Sequence, residues 1–218
     1  MTDYATMRAH MVEGQILPSK VTDPRLIGAL YEVPREQFVT PGRRSVAYVD
    51  EDLEMAPGRF IMEPVVLARL LQAAAPGPDD VALDIGCGTG YATALLARLA
   101  GTAVGIESDA NLATRAGEIL TTLEIDNAVV VERPLADGYA EQAPYDVILL
   151  DGAVAEVPQA IVAQLAEGGR MLAVIDPGGG LGAATLFVRV GGVIGHRTIF
   201  DAAVEPLPGF AARPRFAF

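Results

Sequence analysis

Apolar positions along this chain fall into two regimes. Up to about residue 75 they form short stripes within polar sequence, and beyond it they gather into compact runs that alternate with amphipathic stretches. In the first regime, Asp23-Pro24-Arg25-Leu26-Ile27-Gly28-Ala29-Leu30 predicts a helix, with Asp as its cap and proline in its first turn. Val33–Phe38 reads as a second short turn or helix. From Pro64 to Ala75, the positions Val65, Leu67, Ala68, Leu71 and Ala74 follow a 3.6-residue period and predict another helix. The breaker Ala75-Pro76-Gly77-Pro78-Asp79-Asp80 ends it.

The second regime predicts strands at Val81–Ile85, Ala103–Ile106, Ala128–Val131, Asp146–Leu150 and Arg170–Ile175. Between them lie helices at Tyr91–Ala100, Asp109–Leu123 and Pro158–Ala166. Continuous apolar strands alternating with helices imply a parallel sheet covered on both faces. Ala183–Val190 and Val193–Phe200, separated by Gly191-Gly192, predict a closing antiparallel hairpin. The expected fold class is α/β: a mostly parallel sheet with a C-terminal antiparallel hairpin, plus N-terminal helices. Residues 1–75 are expected to form a helical extension or lid packed on an α/β domain spanning 76–218.

Composition narrows the classes of function. The 218 residues are 51% hydrophobic and 20% charged, which is too apolar for a disordered chain. No run of about 18 apolar residues escapes an acid, a proline or a glycine cluster, so no membrane span is expected. Met1-Thr2-Asp3-Tyr4 lacks the basic-then-apolar start of a secretory signal. Cys87 is the one cysteine, which excludes internal disulfides and suits a cytoplasmic location. With 28 Asp+Glu against 16 Lys+Arg, the net charge is −12, a field that repels nucleic-acid backbones. One cysteine and two histidines, His10 and His196, show no metal-ligand spacing, so no metal is expected.

The segment Val81-Ala82-Leu83-Asp84-Ile85-Gly86-Cys87-Gly88-Thr89-Gly90-Tyr91 carries the chemistry. It leaves a strand, passes three glycines at alternate positions and enters a helix, whose free N–H groups face the turn. A dinucleotide loop, Gly-x-Gly-x-x-Gly, would need its third glycine at position 91, where Tyr91 stands. One strand later, Glu107 is placed to accept hydrogen bonds from ribose hydroxyls. Asp84 can take an ammonium group. A ligand with a ribose, an ammonium and a sulfonium but no pyrophosphate suits these residues, and S-adenosyl-L-methionine has those parts. Against this stands a strand-to-helix turn built from glycines for geometry alone.

Asp84 through Tyr91 with Glu107 resembles the first motif and second-strand acid of class I S-adenosylmethionine-dependent methyltransferases, which implies a Rossmann-like sheet. The wider chain resembles one branch of them, the protein-L-isoaspartate O-methyltransferases. That likeness rests on Thr22-Asp23-Pro24-Arg25, Val33-Pro34-Arg35-Glu36-Gln37-Phe38-Val39, Ala47-Tyr48-Val49-Asp50, Ala143-Pro144-Tyr145-Asp146, Glu167-Gly168-Gly169-Arg170 and Val204-Glu205-Pro206-Leu207. It implies methylation of the abnormal carboxyl of isoaspartyl residues in protein repair. It places Asp84, Gly86, Cys87, Gly88, Thr89, Gly90, Glu107 and Ser108 on the cofactor, with Pro134 and Leu135 in the adenine loop. Arg59, Phe60, Ile61 and Met62 fall on the acceptor side.

Two departures sit where that family does its work. Its acceptor segment reads Gly-Gln-Thr-Ile-Ser-(Ala/Gln)-Pro, and the stretch here is Gly58-Arg59-Phe60-Ile61-Met62-Glu63-Pro64. Phe60 and Met62 replace hydroxyls, and they read more readily as packing than as ligand contacts. Arg59 is either a guanidinium that holds the acceptor carboxylate or an exposed loop arginine. In the loop after the third strand, Arg133-Pro134-Leu135 replaces Gly-Asp-Gly, so an adenine contact is lost unless Glu132 or Asp137 supplies it.

A carboxylate acceptor is ionised at neutral pH and needs alignment rather than a base. No catalytic residue is therefore assigned. Asp151, closing Leu149-Leu150-Asp151-Gly152, is either a base or a structural acid. Cys87, beside a helix start that can lower a thiol pKa, reads as a small loop filler. The acceptor is expected to be a peptide or protein carboxyl. A small-molecule or other protein acceptor, or a non-catalytic homologue of the same fold, are the alternatives.

Overall fold

The computed structural model describes residues 2–178 and 180–210. Its centre is a seven-stranded sheet of β3 (Val81–Ile85), β4 (Thr102–Glu107), β5 (Ala128–Glu132), β6 (Tyr145–Val154), β7 (Leu165–Ile175), β8 (Gly182–Val190) and β9 (Val193–Ala202). The strand order is β5-β4-β3-β6-β7-β8-β9. β5 to β7 run parallel, and β8 and β9 close the sheet antiparallel. The expected mostly parallel sheet with a terminal hairpin is what the chain builds.

Helices α4 (Tyr91–Leu99) and α5 (Ala110–Thr122) follow β3 and β4. They cover the same face of the sheet as the N-terminal helices α1 (Tyr4–Met11), α2 (Pro24–Glu32) and α3 (Pro64–Ala74). Met11, Leu30, Leu67, Leu71, Leu95 and Leu96 join Ala82, Val147, Leu149 and Leu172 in one core cluster on that face. Alternate strand residues Leu83, Ile85, Ile148, Leu150 and Met171 point the other way, to Leu135, Ile161 and Leu207. Asp23 caps α2 as its sequence requires, its Oδ1 accepting from the Arg25 N–H at 2.8 Å.

β3 sits where the topology reverses: the chain leaves it toward β4 on one side and returns through β6 on the other. Ligands of open α/β sheets bind at the carboxyl ends of strands at such a point.

Three elements differ from expectation. The N-terminal stretch, expected to be helical, contains an antiparallel pair, β1 (Leu53–Ala56) and β2 (Arg59–Ile61). Pro57-Gly58 turns it, with Gly58 at φ +69°, the positive angle that a proline-led tight turn requires of its second central residue. The helix expected over 158–166 is one turn long, α6 (Gln159–Val162). Leu165 leaves it to pair with Tyr145 at the start of β7, where both side chains are buried. No helix among the described residues is long and apolar enough to cross a membrane.

Candidate active site

The turn after β3 is held open by backbone geometry. Gly86, Gly88 and Gly90 have φ of +83°, +56° and +92°, angles that side-chain-bearing residues rarely adopt. The Gly86 and Cys87 N–H groups donate to the Ile106 carbonyl at 2.9 and 3.1 Å, tying the turn to the end of β4. There Glu107 is fully buried and both its oxygens are engaged. Oε1 accepts from the Ser108 and Asp109 N–H groups, and Oε2 accepts from the Gly88 N–H at 2.8 Å. Below the turn, Asp84 is also fully buried. Its Oδ2 accepts from the Thr93 hydroxyl at 2.6 Å, while Oδ1 has no partner. Burial pushes its carboxyl up to about 7, with the charge of Glu107 adding and the Thr93 hydrogen bond and Arg59 opposing.

Arg59 borders the same small space as Phe60 and Met62, but its guanidinium is buried. It reaches inward from β2, 6% exposed, and its terminal nitrogen donates to Glu107 Oε2 at 2.5 Å and to the Gly86 carbonyl at 2.9 Å. Removing one member of such a buried ion pair costs about 3–5 kcal/mol, because the other is left uncompensated. The exposed loop arginine is ruled out: Arg59 is buried in an internal ion pair among the acids Asp84, Glu107 and Asp151. Met55, from β1, lies over Gly88, where an added Cβ would collide with its methyl group. Leu207, from the tail, lies over Gly86, and a Cβ there would be 2.5 Å from its Cδ2.

The tail is fixed by β-type bonds to β6: the Ala153 N–H donates to the Glu205 carbonyl, and the Leu207 N–H to the Ala153 carbonyl. Asp52 joins hairpin to tail, its oxygens accepting from the Glu63 N–H at 2.7 Å and the Glu205 N–H at 2.8 Å.

The remaining residues singled out in the sequence divide clearly. Thr89 donates its hydroxyl to the Phe38 carbonyl at 2.5 Å, so it secures the N-terminal segment to the turn. Tyr91, in place of a third dinucleotide-loop glycine, packs edge-on against Phe38 under the Arg35 guanidinium. Cys87 is buried, and desolvation followed by the charges of Asp84, Glu107 and Asp151 pushes its thiol well up, so the helix start does not activate it. Ile61 and Met62 are buried core residues, in keeping with packing, while Phe60 and Met62 border a small space beside Asp151.

Leu135 is buried and Pro134 and Ser108 are exposed. Next to Pro134, Arg133 forks onto Glu141 at 2.8 and 2.9 Å and lies 4.2 Å from the Tyr139 ring centroid. Asp151 is 6% exposed with Oδ1 unpartnered. Burial, then the charge of Asp84, pushes its carboxyl well above the usual range. Met55, Thr93 and Asp52 were not singled out by sequence, and Leu207 was legible only as part of a tail phrase.

The donor set fits a ribose-bearing, cationic cofactor. Glu107 ends its strand beside three positive-φ glycines, and Asp84 Oδ1 is a buried acceptor without a donor. The space above that set holds Arg59, Met55 and Leu207. Among the described residues, no cluster of His, Cys, Asp and Glu is arranged to hold a metal.

Comparison with known proteins agrees with this geometry. Residues 7–197 match the family model described as protein-L-isoaspartate(D-aspartate) O-methyltransferase. A protein-L-isoaspartate O-methyltransferase of Koribacter versatilis (strain Ellin345) is 41% identical over 172 residues, covering 79% of this chain and 78% of that protein. One from Methanoregula boonei is 38% identical over 165 residues, 76% of each. A solved protein-L-isoaspartate O-methyltransferase superposes with TM-score 0.81 at 25% identity, covering 94% of this chain and 67% of its own. A Plasmodium falciparum structure in complex with S-adenosyl-L-homocysteine shares the fold, with TM-score 0.79 at 19% identity over 95% of this chain and 99% of its own. A family model over most of the chain and relatives about 40% identical agree, and the chain belongs to the protein-L-isoaspartate(D-aspartate) O-methyltransferase family.

Proposed function

We propose that this protein transfers a methyl group from S-adenosyl-L-methionine to the side-chain or main-chain carboxylate of an isoaspartyl or D-aspartyl residue in a peptide or protein. The observation that carries the reading is Glu107, buried at the end of β4 and hydrogen-bonded to the positive-φ turn Gly86–Gly90 at the reversal point of the sheet. S-adenosyl-L-methionine, when bound, supplies an activated methyl on a sulfonium. Glu107 accepts from ribose hydroxyls, and Asp84 Oδ1 supplies negative charge toward a cationic ligand. Glycines at 86 and 88 let the backbone approach. Phe60 and Met62 wall the acceptor side and exclude water.

The acceptor enters through a cavity of about 440 Å³ between the hairpin turn and the tail, lined by Gly58, Ala153 and Pro206 among others. An ionised carboxylate acceptor needs no base. Burial, then the charge of Asp84, pushes the Asp151 carboxyl well above the usual range, which favours its neutral form over that of a base. The excess of acid elsewhere argues for peptide rather than nucleic-acid partners, and the lone buried thiol suits a reducing, cytoplasmic setting.

The test is transfer of labelled methyl to an isoaspartyl peptide and to the same peptide with ordinary aspartate. Label on the isoaspartyl peptide alone, released as methanol by mild alkali, is the expected outcome. Label that resists alkali would mean an amine acceptor, and label on neither peptide would point to another acceptor.

A further inference from the structure

We propose that Arg59 is a tethered competitor of the cofactor, a guanidinium of the chain's own that occupies the ribose-accepting oxygen and must be withdrawn with the β1–β2 hairpin before cofactor can bind. The inference rests on the cofactor reading given above. Glu107 Oε1 is used up by the backbone of residues 108 and 109, and Oε2 is shared between the Gly88 N–H and Arg59. Among the described residues, Arg59 is the one partner of Glu107 that lies outside both the glycine turn and the end of β4. The same nitrogen holds the Gly86 carbonyl, so the guanidinium lies across the turn.

The contact is built to be released. Arg59 binds through a single terminal nitrogen, and its Nε has no partner. The hairpin that carries it has strands of four and three residues, and a two-stranded pair of that size has little stability of its own. Leu53 and Ile61 root its strands in the core and Asp52 fixes its base, so the end that carries Arg59, held by the Arg59 contact on Glu107 and Gly86, is the part that can move. Its turn residue Gly58 has nothing within 4 Å of where a Cβ would be, so no packing at that position holds the tip.

Charge supplies the exchange. In the closed form, Arg59 pairs with Glu107 and offsets Asp84 and Asp151, with Arg35 also acting on Asp151. A cationic cofactor brings its own positive charge into that cluster, and the guanidinium is then no longer needed there. Apparent affinity is reduced by the fraction of molecules with the hairpin docked, and a substitution that undocks it removes that penalty.

Calorimetric titration of the full chain with S-adenosyl-L-methionine, comparing wild type with Arg59→Gln, tests this directly. Glutamine keeps polarity without the charge, and binding should tighten about tenfold or more. Hydrogen exchange on the wild type gives a second measurement that does not depend on the variant folding: amides of residues 53–61 should exchange faster once ligand is added. Equal or weaker binding by Arg59→Gln, or hairpin amides whose exchange does not rise with ligand, overturns the proposal and leaves the cofactor reading standing. Failure of both proteins to bind overturns the two together.

Discussion

The glycine turn after β3 and the hairpin before α3 lie face to face and follow opposite rules. The turn keeps space: its residues at 86, 88 and 90 have no side chains, and its backbone N–H groups are spent on holding its shape. The hairpin fills space, laying Met55 and Arg59 into what the turn leaves open. The turn depends on residues without side chains, whereas the hairpin carries the bulky Arg59 and Met55. The contrast teaches that backbone requirements fix the turn, while the hairpin is free to change how tightly the site is shut.

Glu107→Ala would break the comparison most severely. It strands Arg59 as an unpaired buried cation and frees the Gly88 N–H, so urea unfolding should show a loss of about 3–5 kcal/mol. A change under about 1 kcal/mol would mean that the hairpin is not anchored on the turn. Gly88→Ala probes the same contact sterically. Strain at φ +56° and the collision with Met55 should together cost about 1–3 kcal/mol. Adding Met55→Ala should recover the collision share and leave the strain, and strictly additive effects in the double variant would show that the two elements do not touch.

Titration of Asp84 sharpens the electrostatic side. Its folded carboxyl titrates at about 7, against an ordinary value near 4 in the unfolded chain. Between those values the folded state holds a proton that the unfolded chain has released, so stability declines as pH rises from about 4 to about 7. Asp84→Asn removes this contribution. Between pH 5 and 7, the wild type should lose up to about 1.4 kcal/mol per pH unit more than the variant in denaturant titrations. Equal slopes would place the proton elsewhere. The smallest effect belongs to Arg133→Ala. Glu141 is largely exposed and the pair is screened by solvent, so the thermal midpoint should barely move. A larger loss would make the loop after β5 part of the closure.

Much of this was legible in the sequence, for identifiable reasons. Val81–Ile85 and Tyr91–Ala100 announce themselves because strands buried on both faces and long helices leave continuous apolar signals. Leu53–Ala56 is too short for any period, so the hairpin was hidden, and with it the role of Met55. Gly86, Gly88 and Gly90 could be assigned because the turn's chemistry is local. Arg59 could not, because its partner lies 48 residues away and the choice between facing out and facing in depends on how many acids are buried nearby. Thr93 was missed for the same reason: nothing local says that a helix hydroxyl will meet Asp84.

The fork made by Asp52 has a consequence for how the protein is born. Its two oxygens bind the Glu63 and Glu205 amides, and the second of those partners emerges from the ribosome long after the first. Leu207, which roofs Gly86, is made later still. The nascent chain can therefore form most of its sheet while the catalytic crevice still lacks its roof. The crevice is completed only when the tail docks along β6, after every strand of the sheet has been made.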